Sequence, residues 1–164
     1  MCAHWPVIGL IAIGLYRSRP DSYRLFRNAF LISGAIGLAI FMTLPTAPPR
    51  LAGMGLVDTV VQSSNFYHLL QPPEMINQYA AFPSLHFGWN LLNGIALIVE
   101  SPHRLLRLAG AALPLAMLLA VVLTANHYAI DAFAGAVVAL IGLALAWKLT
   151  VGAEWARGRM VPTA

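Results

Sequence analysis

Four stretches of this sequence are too long and too apolar for a water-soluble fold: residues 28–46, 83–100, 105–124 and 128–149. A helix that crosses a bilayer needs about 20 mostly apolar residues. Hydrophobic residues make up 59% of the chain and charged residues only 10%, whereas a soluble domain carries roughly 25% charged. The sequence therefore predicts an all-α integral membrane protein, a single domain over 1–164 with its core at about 28–149.

A fifth apolar run, 4–16, is short for a span. No basic residue precedes it and basic residues follow at once, which argues against a secretory signal. It reads as what remains of a truncated first helix, so the expected bundle has five to six transmembrane helices. The single cysteine, Cys2, rules out a disulfide framework and a Cys-based zinc site.

The net charge of +4 calls for no nucleic-acid partner, because the basic residues lie mostly between apolar segments. In a membrane protein that pattern sets orientation. If the chain zigzags, Arg17, Arg19, Arg24, Arg27, Arg104, Arg107, Lys148, Arg157 and Arg159 share one face, expected to be cytoplasmic. Arg50 alone falls on the opposite, extracytoplasmic face. The 45–82 loop on that face contains Pro45, Pro48, Pro49, Pro72 and Pro73. Its middle, residues 56–70, predicts a short interfacial helix with Phe66 and Tyr67 at headgroup depth.

The chemistry-bearing residues gather on the same outer face. Arg50 follows the second segment, His86 lies in the first turn of the third, and His127 opens the fifth with Asp131 four residues on. On a helix that spacing puts His127 and Asp131 on one face. A carboxylate there fixes the imidazole tautomer and finds the partner it needs in lipid. Gly135 and Ala139 extend the stripe and admit a close neighbour. Pro83 suits a first helical position. Two helix N-termini point outward, where free N–H groups and the helix dipole favour phosphate. Arg50 adds a planar fork matched to phosphate oxygens, or simply meets lipid headgroups. Ser84 and Asn126 each read as a helix cap or a phosphate contact. Tyr79 reads as a belt residue or a substrate contact.

This set permits phosphoryl transfer without a metal or other cofactor. Neutral His127 attacks phosphorus while Asp131 holds its far nitrogen. His86 protonates the departing oxygen, and Arg50, Ser84 and the helix-end N–H groups hold the equatorial oxygens. Two rival readings use the same residues. A His/Asp proton or ion site in a small transporter would want polar groups at the midplane of several helices, and the second and fourth segments offer almost none. A His/His/Asp metal site would sit beside an arginine and positive helix ends that repel a cation.

The motif PSLH (83–86) followed by NHYAID (126–131) resembles the type 2 phosphatidic acid phosphatase (PAP2) superfamily. PTAPPR (45–50), NQYAAFPSLHFGW (77–89) and TANHYAIDAFAG (124–135) look closest to its inositolphosphotransferase branch, which includes inositol phosphorylceramide synthases. The resemblance spans about 28–147. It implies a six-helix core in a bacterial plasma membrane, with His127 as nucleophile, Asp131 as its partner and His86 as acid. It also implies a lipid or polyprenyl phosphate substrate taken from among the membrane lipids. The acceptor is an inositol-like polyol, or water in a plain lipid phosphate phosphatase. Two departures stand out. Residues 119–126 lack the arginine that many members carry before the nucleophile, and Arg50 in APPR stands in for the usual first motif.

Overall fold

The computed structural model describes residues 4–53, 55, 77 and 79–156; for 151–156 only the backbone is considered. The predicted interfacial helix at 56–70, together with Arg157 and Arg159, lies outside the described residues. Among the described residues five α-helices appear in chain order: α1 (His4–Ser18), α2 (Pro20–Thr43), α3 (Leu85–Glu100), α4 (Arg104–Leu123) and α5 (Ala129–Ala156). Among the described residues there is no β-strand; one isolated bridge pairs Thr46 with Ala80.

Three helical stretches, Pro20–Thr43, Arg104–Leu123 and Ala129–Thr150, are long and apolar enough to cross a membrane. α1 and α3, at 15 and 16 residues, are shorter. Large side chains face outward along these helices, Leu105 and Leu123 of α4 being 78% and 77% exposed. A contiguous apolar exterior of this kind is what lipid, not water, accommodates. These features mark a membrane protein.

α2 begins well before the expected boundary at residue 28. Pro20 occupies its first turn, beside Asp21, where a fixed φ and a negative charge both favour a helix start. Arg24 and Arg27 therefore lie on a helix and not in a connecting loop. Both are exposed: Arg24 pairs with Asp21 one turn back at 3.4 Å, and the Arg27 guanidinium rests 5.9 Å from the Tyr23 ring centroid. The link between α1 and α2 shrinks to Arg19.

Small residues set how the helices meet. α2 buries Phe26, Ala29, Ser33 and Gly37 at helical spacing and packs chiefly on α5, while α3 packs on α4 and α5. A side chain at Gly142 would strike the Ala29 carbonyl and Ser33. One at Gly94 would strike the backbone at Gly110. Pro114 lies inside α4, against the same Gly94; neighbouring helices make such a proline tolerable within a membrane bundle. α3 and α5 also approach closely. A side chain at Gly135 would collide with the Ser84 carbonyl, and one at Gly88 with the Gly135 carbonyl and Ala139. The Gly135 and Ala139 stripe thus receives the start of α3, as the sequence suggested. Packing without apolar solvent differences rests on such contacts.

Candidate active site

The end of α2, the starts of α3 and α5 and the end of α4 converge at one end of the bundle. The Ser84 N–H donates to the Asp131 carbonyl at 2.9 Å, joining the start of α3 to the first turn of α5. The Arg50 N–H donates to the Ala125 carbonyl at 3.1 Å, bringing the 3-10 turn Pro49–Leu51 to the α4–α5 reversal.

That reversal is tight. Ala125 holds a left-handed φ of 53°, a conformation that costs a residue with a Cβ about 1–2 kcal/mol. The N–H groups of Asn126 and His127 both turn back to the Val121 carbonyl at 3.0 Å, so this strained corner aims the two side chains. His127 consequently precedes α5 instead of sitting on it. The expected shared helical face does not exist, yet the two residues still meet: Nδ1 of His127 lies 3.7 Å from Oδ2 of Asp131. The Asp131 carboxylate accepts from the Tyr128 N–H at 2.8 Å, reaching back to cap the N-terminus of its own helix. Nδ1 of His127 makes its short bond elsewhere, with the Ala81 carbonyl at 2.7 Å. A carbonyl oxygen only accepts, so Nδ1 carries the hydrogen and the lone pair is left on Nε2. A main-chain oxygen thus has the tautomer-fixing role that the sequence reading gave to Asp131, whose carboxylate adds a nearby charge. Both residues are buried, at 6% and 2% exposed.

His86 lies in the first turn of α3, its ring centroid 5.9 Å from that of His127. Ser84 is the N-cap of α3 and accepts from the Phe87 N–H at 3.4 Å. Fully buried, it acts here as a cap. Pro83 therefore lies before the cap, outside the helix. Among the described residues Asn126 caps no helix. Its Oδ1 accepts from Arg50 Nη1, and its Nδ2 donates to the Thr124 hydroxyl at 2.7 Å. Asn126 is thus a tether that holds the guanidinium close to His127. Tyr79 is 56% exposed. It contributes its carbonyl to the Thr46 N–H at 2.6 Å, and its ring stays outside the buried cluster.

Residues that the sequence reading passed over complete the surroundings. His4, the first residue of α1, packs its ring 5.3 Å from that of His86 and lies parallel to Trp89. Asn90 bonds both to His4 and to the His86 carbonyl. The signal for His4 was available: like His86, it is an ionisable residue at the start of an apolar run.

Burial, and then repulsion from Arg50, outweigh the Ala81 hydrogen bond and lower the His127 pKa from 6.5 to about 4. A base lowered in this way stays neutral, and nucleophilic, over more of the acid range. Activity dependent on neutral His127 should hold well below pH 6.5 and fall only as pH drops through about 4. The acid limb of the pH–rate profile measures this; an inflection near 6.5 would contradict it. The same shift destabilises the native state as pH falls from 6.5 toward 4, because the unfolded chain binds a proton there that the folded chain refuses.

A helical membrane protein with a buried histidine facing a half-buried one, a buried carboxylate and a tethered arginine at one end of its bundle is the class these features define. A family model described as PAP2 superfamily matches residues 1–145. The chain belongs to the PAP2 superfamily, and that membership suggests phosphatase or phosphotransferase activity. No curated protein and no solved structure matches significantly.

Proposed function

We propose that this protein is a metal-independent phosphoesterase or phosphotransferase acting on a lipid or polyprenyl phosphate at the extracytoplasmic leaflet, through a phosphohistidine on His127. The observation that carries this reading is the bond from His127 Nδ1 to the Ala81 carbonyl, which leaves Nε2 free to attack. In the first half-reaction Nε2 bonds to phosphorus and the phosphorus–oxygen bond to the lipid alcohol breaks. His86 gives its proton to that oxygen, while Arg50, kept in place by Asn126, balances charge on the equatorial oxygens. Asp131 and the Ala81 carbonyl favour the substituted imidazole. In the second half-reaction an acceptor hydroxyl loses its proton to His86 and its oxygen takes the phosphoryl group from His127.

The missing arginine before the nucleophile and the PTAPPR, PSLH and NHYAID motifs favour an inositol-like polyol as acceptor over water. Purified protein incubated with a panel of labelled phosphatidic acids, sphingolipid phosphates and polyprenyl phosphates, with and without inositol, tests both points. The expected result is label transferred to inositol; free phosphate alone would identify a phosphatase instead. No product from any member of the panel would reject the reading.

A further inference from the structure

His4 belongs to a helix that the proposed chemistry does not use, yet it is 4% exposed and lies against the site. Its Nδ1 is 2.6 Å from Nδ2 of Asn90. The same amide nitrogen donates to the His86 carbonyl at 2.9 Å. The carbonyl bond orients the amide, since that oxygen only accepts and must face the NH2 group. One amide hydrogen therefore goes to His86. The other meets His4, which must receive it on an unprotonated Nδ1. In this arrangement His4 is neutral with its proton on Nε2, and protonation at Nδ1 would break the bond. The anchored ring packs 5.3 Å from that of His86 and lies within 7° of parallel to Trp89. Trp5 closes on Trp89 from the side.

We propose that His4 is a positioning residue for His86: Asn90 pegs the His4 ring, and the pegged ring holds the His86 imidazole toward His127. This rests on the reading of His86 as the acid. His4 Nδ1 does not take a proton in transit, because it is occupied as an acceptor from Asn90. α1 thereby becomes part of the catalytic apparatus, not merely a helix on its flank.

The experiment uses the full chain in detergent micelles with dioctanoyl phosphatidic acid as probe, comparing wild type, His4→Leu, Asn90→Leu, the double variant and His86→Asn. A misplaced reacting group costs on the order of 10²-fold, so His4→Leu and Asn90→Leu should each lower kcat by about 10–100-fold and leave KM within about twofold. Because the two residues act as one unit, the double variant should be no worse than the weaker single. A wild-type kcat in His4→Leu, a loss confined to KM, or additive losses would each overturn the proposal. Should His4→Leu fail to fold, His4→Phe, which keeps the ring but removes the acceptor, is scored by the same criteria. A readout independent of turnover is the ring 15N signal of His86, which should shift in the His4 variant while that of His103 stays. An unmoved His86 signal would also overturn it. His86→Asn separates the two levels: unimpaired turnover there removes the acid assignment itself, whereas a dead His86→Asn beside an unimpaired His4→Leu removes only the positioning role.

Discussion

Replacing His127 by alanine should reduce turnover of a lipid phosphate by on the order of 10⁴-fold or more, the scale expected when a covalent nucleophile is deleted. The fold should largely survive. The substitution removes a ring whose described hydrogen bond is to the Ala81 carbonyl, and a buried group left unpaired costs about 1–3 kcal/mol. Asp131 keeps its bond to the Tyr128 N–H, so α5 retains its start. Activity and stability should therefore separate: turnover collapses while the protein still elutes as folded material and melts cooperatively. Turnover of labelled substrate alongside thermal unfolding in detergent measures both. Wild-type turnover in His127→Ala would end the nucleophile assignment, and loss of folding together with turnover would leave the ring with a structural role.

Gly135→Ala should have the second large effect, this time on the scaffold. Its Cβ would run into the Ser84 carbonyl, a backbone atom that cannot rotate aside. The start of α3 is pinned there by the Ser84 N–H bond to the Asp131 carbonyl. Overfilling a packed interface costs about 1–3 kcal/mol, and more where backbone must move. At this chain length each kcal/mol lowers the melting temperature by about 2–4 °C. Turnover should fall as well, because α3 carries His86 and α5 follows directly from His127. Gly9→Ala is the control: nothing lies within 4 Å of its added Cβ, and alanine inside a helix gains about 0.5–1 kcal/mol over glycine. Equal melting of Gly135→Ala and wild type would contradict the backbone contact.

Much of this arrangement could be read from residue order alone. Apolar runs located the helices, and the alternation of charge placed Arg50, His86 and His127 at the same end. Motif spacing reached the residues that the fold brings together. What escaped was of three kinds. Hydropathy treats an arginine as a break, so the first turns of α2 were taken for a loop although Arg24 and Arg27 ride on its surface. Helical spacing between His127 and Asp131 suggested a common helix, whereas the strained turn at Ala125 delays α5 until Ala129 and brings the pair together by another route. The Ala81 carbonyl could not be found at all, because every residue has a carbonyl and only the fold decides which one faces an imidazole. His4 escaped for a different reason: it opens the short run that reads as the remainder of a first helix, far in sequence from the motifs that carry the other site residues.

The Thr46 N–H donates to the Tyr79 carbonyl, and the Ala81 N–H donates back to the Thr46 carbonyl at 3.1 Å. These two bonds close the ends of the long excursion between α2 and α3 upon each other. The same clasp fixes where Ala81 lies: its N–H reaches Thr46, and its carbonyl meets His127. One residue thus couples the exit of α2 to the histidine beyond α4 through its two main-chain groups, so a change that loosens the clasp at Thr46 is felt at His127.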